Sequence, residues 1–449
     1  MRTGRMSGRL RRAGAVALNV ALTAMLATGM TVPAGAASTR LDSAFGDDGK
    51  VVVDPPRDAG ELPAAQEVLP DGKILVAGTA FPATGAAFML LRFDADGFPD
   101  PSFGDGGRVW TDLATVSTPL KGAVTEDFVA VGSSGIYDLA VLPDGRFVVA
   151  GYTYGGSSIA FALARYLPDG TLDPSFGSEG IVFTDLDPLA DDVATSLVVE
   201  DDGGILAAGR SGERAVVARY HADGTPDESF GSEGVATTDE MLVVLAAAAD
   251  PSGRVLVAGQ SGTPGGPFDL AVGRFLPDGT LDASFGDDGG VIVTDLGPTG
   301  EWLAFATLDG DGRLVVAGTS GASFVLLRYT EAGRRDPAFG DEGVVTSGPR
   351  IGWARSVSHL PDGRLVVAGG HLNGSERDVA VCRYLPDGTL DATFGAKGVL
   401  STDVVPVRHD EGTAASLQPD GKLVVTGTSF DPENIHPLVV LVRYDDVGS

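Results

Sequence analysis

The chain has 449 residues, one cysteine and a formal net charge of −29, with 61 acidic residues against 32 lysines and arginines. Such a field repels polyphosphates and anionic lipid, so nucleic acid is excluded as an expected partner. The single thiol, Cys382, excludes an internal disulfide framework.

The chain opens with five arginines and no acid in residues 1–36, around an apolar run that stops at Ala34-Gly35-Ala36. This is the layout of a secretory signal peptide. The expected destination is therefore extracellular, with no stable membrane insertion once the signal at 1–36 is cleaved. No later stretch reaches the roughly 18 apolar residues that a membrane span needs.

From residue 41 onward one string recurs: "LPDGTLDPSFGSEGIVFTD" from Leu167, with close copies from Leu276 and Leu385. Seven phenylalanines mark its phase, at Phe45, Phe103, Phe176, Phe230, Phe285, Phe339 and Phe394. A second series, Arg-Tyr or Arg-Phe, begins at Arg92, Arg165, Arg219, Arg274, Arg328, Arg383 and Arg443. The two series divide the segment 41–449 into repeats at 41–98, 99–171, 172–225, 226–280, 281–334, 335–389 and 390–449.

Each repeat carries four short runs of Val, Leu, Ile, Ala and aromatics bounded by Gly, Pro and Asp turns. In the third they are "GIVFTD", "ATSLVV", "GILAAG" and "RAVVARY". No run has the length, caps and spacing of an amphipathic helix. The expected fold is all-β, a seven-bladed propeller of four-stranded blades. Small residues before the Pro-Asp-Gly turn, such as Ala65, Ala140, Ser196 and Ser356, mark the crowded innermost strand. "VAG" is then second, the Arg-Tyr run third and "VxTD" outermost. On this order the N-terminal strand "GKVVVD" (49–54) closes the last blade and removes the open sheet edges.

The repeated residues carry structure, because chemistry needs one asymmetric place. The Phe is expected to plug the space between blades, and the Arg to pair with an Asp of "LDxSFG" or "TD". Cys382 occupies a position that holds Leu91, Ala164 and Val442 in other repeats, so a buried apolar role is expected.

The segment 41–449 resembles the delta-60 repeat family, bacterial tandem repeats of the form "LDxSFGxxGxVxTD…PDGKhhVAG…hhxRYxxDG". The resemblance implies an extracytoplasmic β-propeller and carries no catalytic motif to transfer. Ser347, standing where other repeats have the Asp of "TD", departs from the pattern.

Function is expected where the repeats differ, in the linkers after "VxTD" and after "VAG", which this strand order puts on one face. The longest insertion there, Ala114 to Gly135, has the length of a lid. Each inner strand is expected to begin at Glu61, Ser134, Asp192, Leu242, Glu301, Gly352 or Asp410, and the four carboxylates to ring the channel mouth. Trp302 and Trp353 follow two of those positions, so Glu61, Asp192, Glu301, Trp302, Trp353 and Asp410 are the candidate ligand-binding residues.

His371, His409 and His436 lie near carboxylates in the last two repeats and are the candidate metal ligands, with a divalent cation as the candidate cofactor. "DADG" (94–97) and "DGDG" (309–312) lack the spacing of a calcium loop and are expected to be turns. No GxSxG elbow, P-loop, dinucleotide fingerprint or CxxC pair is present, and no residue is assigned as catalytic. The leading reading is a monomeric, non-enzymatic binding module for an extracellular glycan, peptide or protein. The alternative is a metal-assisted hydrolase or lyase at the channel mouth.

Overall fold

A computed structural model describes residues 40–447 apart from 57–58, 83–84, 114–133, 155–157, 264–265, 288, 298–299, 321–322, 347–352, 374–375, 432–433 and 446. The signal segment and most of the long insertion lie outside the described residues, as does Ser347. No helix among the described residues is long and apolar enough to cross a membrane.

Seven separate four-stranded antiparallel sheets make up the chain. In blade 1 the strands run, from the axis outward, Gly60–Val68, Ile74–Phe81, Ala87–Phe93 and Arg108–Thr111. The inner strands of blades 2 to 6 are Ser134–Val141, Asp192–Val199, Val243–Ala249, Glu301–Leu308 and Trp353–His359. Blade 7 takes its inner strand from His409–Leu417 and its outermost strand from Lys50–Val53, which pairs with Asn434–Tyr444 in the register Lys50↔Val442. Inner strands contact one another all the way round, including Gly60–Val68 against His409–Leu417, so the ring is closed. The architecture is a seven-bladed β-propeller with the expected strand order and the expected terminal closure.

One face, the floor, is built from the repeated turns. The Arg-Asp pairing selects the Asp of "LDxSFG". Arg165 Nε donates to Asp173 Oδ2 at 2.8 Å, Nη2 donates to Ser175 Oγ at 2.9 Å, and the guanidinium lies 4.7 Å from the Phe176 ring centroid. Nη1 reaches the carbonyl of Ala222, which belongs to the turn of the next blade. Arg328 repeats this with Asp336 at 2.8 Å and the carbonyl of Pro386 at 2.5 Å. Burial opposes ionisation of Asp173, but hydrogen bonds from Ser175 and Arg146 and the charge of Arg165 hold its carboxyl well below the usual range.

Phe176 is fully buried, and Gly224 of the following turn closes over it. A Cβ at Gly224, whose φ is +86°, would lie 2.9 Å from the ring. Only glycine combines that positive φ with that approach. Arg, Asp, Phe and Gly therefore fasten each blade to the next. Arg219 departs from the pattern, taking Glu200 at 2.8 Å with Asp227 only at 3.6 Å.

A second repeated device explains the glycine of "VAG". Every inner strand carries a β-bulge at the same place, for example between Ala194 and Ser196. The bulge drives the inner backbone against the second strand, where a Cβ at Gly209 would sit 1.9 Å from the Val193 carbonyl oxygen. The same approach is found at Gly78, Gly151, Gly259 and Gly427.

Backbone bonds cross between blades on the floor, as from the Gly177 amide to the Asp223 carbonyl at 2.8 Å, but the strands of neighbouring blades do not pair, so polar side chains satisfy the inner edges. Asp138 accepts the Leu197 amide at 2.7 Å, and Ser196 Oγ accepts the Ala247 amide at 3.0 Å. Cys382 is buried in the seam between blades 5 and 6, and burial pushes its thiol up to about 12, as an apolar role requires.

Candidate functional site

The mouth, opposite the floor, gathers the starts of the inner strands and the ends of the second strands. Here the expected carboxylate rim needs correction: Glu61, Asp192, Glu301 and Asp410 all have no exposed surface. They are turned into the blade seams, where each holds the linker that precedes its own strand or a group of the sheet beside it. Asp192 Oδ2 accepts the amides of Leu186 at 2.5 Å and Asp187 at 3.3 Å, and Asp410 Oδ2 accepts those of Val404 at 2.7 Å and Val405 at 2.9 Å. Burial pushes Asp192 up to about 6 and raises Asp410. Glu61 is neutralised by Arg108 Nε at 2.9 Å and accepts from Trp110 Nε1 at 3.0 Å.

The residues that do reach the mouth stand three positions further along, at the bulge: Ala64, Tyr137, Thr195, Leu245, Arg355 and Thr413. No two adjacent blades carry the same residue there. Four of these residues line one cavity of about 400 Å³ together with Leu62, Phe81, Tyr152, Glu411 and Phe430. Tyr137 is 47% exposed and its ring lies 5.9 Å from that of Tyr152. On the far wall Arg377 pairs with Glu411 and lies 5.8 Å from the Phe430 ring, while Arg355 reaches Glu411 at 3.8 Å and is otherwise exposed. The wall thus offers aromatic faces on one side and a guanidinium on the other. A second cavity, of about 410 Å³, lies at the outer wall between blades 7 and 1 and is lined by repeat residues such as Val51, Gly97 and Pro99.

Trp302 is 59% exposed and meets Phe268 edge-on at 5.2 Å, in the linker region between blades 4 and 5. The Trp353 and His436 side chains lie outside the described residues. His371 Nδ1 is 3.3 Å from Ser401 Oγ, whereas His409 packs against Phe430 with ring centroids 5.3 Å apart. Among the described residues the one group of three potential metal ligands contains no histidine: it is Asp269, Asp295 and Glu301. Both Asp-Gly strings form turns, with Asp94 Oδ1 accepting the Phe98 amide at 2.9 Å and Asp309 Oδ1 the Arg313 amide at 2.9 Å.

Six segments match the pattern described as "Domain of unknown function (DUF5122) beta-propeller", at residues 69–103, 142–176, 200–230, 251–285, 310–339 and 360–394. Each runs from the turn after an inner strand to a floor phenylalanine. The chain is a β-propeller repeat protein. No curated protein matches the propeller in sequence. Among solved structures, a catalytically inactive virginiamycin B lyase from Staphylococcus aureus with quinupristin is similar at 11% identity and a TM-score of 0.49, covering 88% of this chain and 98% of that one. Drosophila Semaphorin 1a, extracellular domains 1-2, is similar at 11% identity and a TM-score of 0.42, covering 86% of each chain. Aldose sugar dehydrogenase from Streptomyces coelicolor, in its PQQ-bound form, has 14% identity and a TM-score of 0.36, covering 88% of this chain and 98% of that one. Likenesses this distant carry nothing about the chemistry of the propeller.

Proposed function

We propose that the protein is an exported, non-enzymatic binding module of the delta-60 repeat type that holds an extracellular glycan or peptide in the mouth cavity. The observation that carries this is the convergence of unlike side chains at one repeated position. The bulge puts Ala64, Tyr137, Arg355 and Thr413 from four blades around one cavity, on a ring whose floor positions are nearly uniform. Aromatic faces at Tyr137 and Tyr152 suit the flat side of a sugar or an apolar side chain. Arg355 adds a donor fork for a carboxylate or hydroxyl on the same ligand.

A glycan and peptide array probed with the purified chain identifies the ligand, and calorimetry then ranks variants. Tyr137→Ala and Arg355→Ala each weaken binding by about tenfold or more, as central aromatic and arginine contacts do, while circular dichroism stays unchanged. Undiminished binding in both variants removes the cavity from consideration. Appearance of a product from the bound ligand replaces the binding module with an enzyme.

A further inference from the structure

Three carboxylates converge at the blade 4–5 junction more closely than at any other junction among the described residues; the blade 6–7 junction has acids at the same register positions, Asp378, Asp403 and Asp410, but they form no such close group. Asp269 is second in the third strand of blade 4, Phe268–Phe275, Asp295 follows its outermost strand, and Glu301 starts the inner strand of blade 5. Ligand oxygens of the three lie within 4.8 Å of one another. Glu301 is completely buried. Its Oε1 accepts from Ser320 Oγ at 3.1 Å and the carboxylate also draws on the Leu296 amide, while Oε2 has no hydrogen bond of normal geometry. No lysine or arginine among the described residues pairs with any of the three.

The ring supplies its own controls, because the same three positions recur one blade away with different residues. At the blade 3–4 junction Arg214 stands in place of Asp269 and pairs with Asp239 at 2.7 Å, and Leu242 stands in place of Glu301. At the blade 7–1 junction the buried Glu61 is balanced by Arg108 and Trp110. Their register equivalents on the outermost strand of blade 5 are Val344 and Thr346, which supply neither charge nor an indole N–H. Asp192 and Asp410 also leave one oxygen without a hydrogen bond, but each holds two linker amides with the other, where Glu301 draws on the Leu296 amide alone, and neither belongs to a close group of three. Three converging carboxylates, one of them buried, without the arginine of the blade 3–4 junction or the Arg108 and Trp110 of the blade 7–1 junction, form a cluster that a bound cation stabilises.

We propose that Asp269, Asp295 and Glu301 bind a calcium ion at the mouth of the blade 4–5 junction. The donors are all hard oxygens, which select calcium or magnesium over zinc or copper. They come from three separate elements without octahedral preorganisation, which favours calcium over the smaller, geometrically demanding magnesium. The ion ties the linker after Asp295 to both neighbouring blades. This site is distant in the ring from the aromatic cavity and does not depend on it.

Calorimetric titration of the chelator-treated chain with calcium alone tests the site. The expected result is one ion per chain with a dissociation constant on the order of 0.1–1 mM, as in extracellular calcium modules, and weaker binding of magnesium. Asp269→Asn, at a half-buried position that does not threaten folding, weakens binding at least tenfold. Asp269→Arg copies the arrangement of Arg214, abolishes the ion and makes the melting temperature insensitive to chelator. Terbium gives a spectroscopic check: Trp302 follows Glu301 and packs on Phe268, the residue before Asp269, so its excitation sensitises terbium emission that is lost in Trp302→Leu. Tyr137→Ala keeps full calcium binding, which separates this site from the ligand cavity. Absence of calcium binding, or binding unaltered by both Asp269 substitutions, overturns the assignment.

Discussion

On the floor of the ring Arg165, Arg274 and Arg328 make the same contacts with an aspartate, a phenylalanine and the next blade's carbonyl. At the mouth, one repeated position holds Ala64, Tyr137, Thr195, Leu245, Arg355 and Thr413. Both sets sit on the same backbone geometry, repeated round the axis. Where the side chain fastens one blade to the next, its identity is fixed by the packing problem, which is the same at every seam. At the bulge the backbone is held by the sheet and no one packing partner recurs, so the side chain can differ from blade to blade. The floor spends its residues on stability, and the mouth is where one blade can differ from another without cost.

Substitutions sharpen that contrast when ordered by expected size. Phe285→Ala removes a fully buried seam residue and destabilises by about 3–5 kcal/mol in urea unfolding; a change below about 0.5 kcal/mol, the range of ordinary surface substitutions, would mean that the floor is not the fastening. Gly209→Ala forces a methyl against the Val193 carbonyl and costs about 1–3 kcal/mol, the range of overpacked sites. Its effect is confined to stability, since the bulge residue Thr195 is unchanged.

Between the two faces the buried Glu67 lies near the half-buried Asp138. Burial, then the nearby Asp138, pushes Glu67 up to about 8, and burial pushes Asp138 up to about 6. Both values lie above those of the unfolded chain, so the folded state holds these protons more tightly. Stability is therefore greatest below about pH 4 for this pair and is lost as pH rises through 6 and then 8. Glu67→Gln removes the larger part, so its melting temperature exceeds that of the parent chain at pH 9 and the gap closes by pH 5. A parallel fall in both proteins would place the titration elsewhere. The smallest change in stability is expected for Tyr137→Ala, within about 0.5 kcal/mol as for exposed positions, although the same substitution has the largest effect on the ligand cavity.

The fold was legible because its signals repeat: Phe176 and Phe285 mark the seams, Pro-Asp-Gly marks the inner hairpin, and "GKVVVD" marks the closing strand. The site was less legible for a definite reason. Counting from the turn locates the start of an inner strand to within a residue, but Glu61 and Asp410, second in their strands, have no exposed surface and are directed into the seam. The bulge then shifts the alternation by one residue and delivers Tyr137 and Arg355 to the axis. Its signal was present all along in the glycine of "VAG", which has no other reason to recur. The acidic group at Asp269, Asp295 and Glu301 escaped notice because its members are distant in sequence, and only the sheet register shows that Arg214 occupies the place of Asp269.

Pairing of Lys50 with Val442 has a consequence for the order of synthesis. Six blades can form in turn as the chain lengthens, yet the seventh waits for residues at both extremes of the propeller, so the torus locks only at the final step. A contact spanning nearly the whole segment is slow to find, and until it forms the seam of blade 1, including Val76 and Met89, lacks its partner wall of Val439 and Leu441. A permuted chain that begins at blade 2 and joins the old ends through a short linker would carry every blade as one continuous stretch, and the latch would move to a seam of the experimenter's choosing.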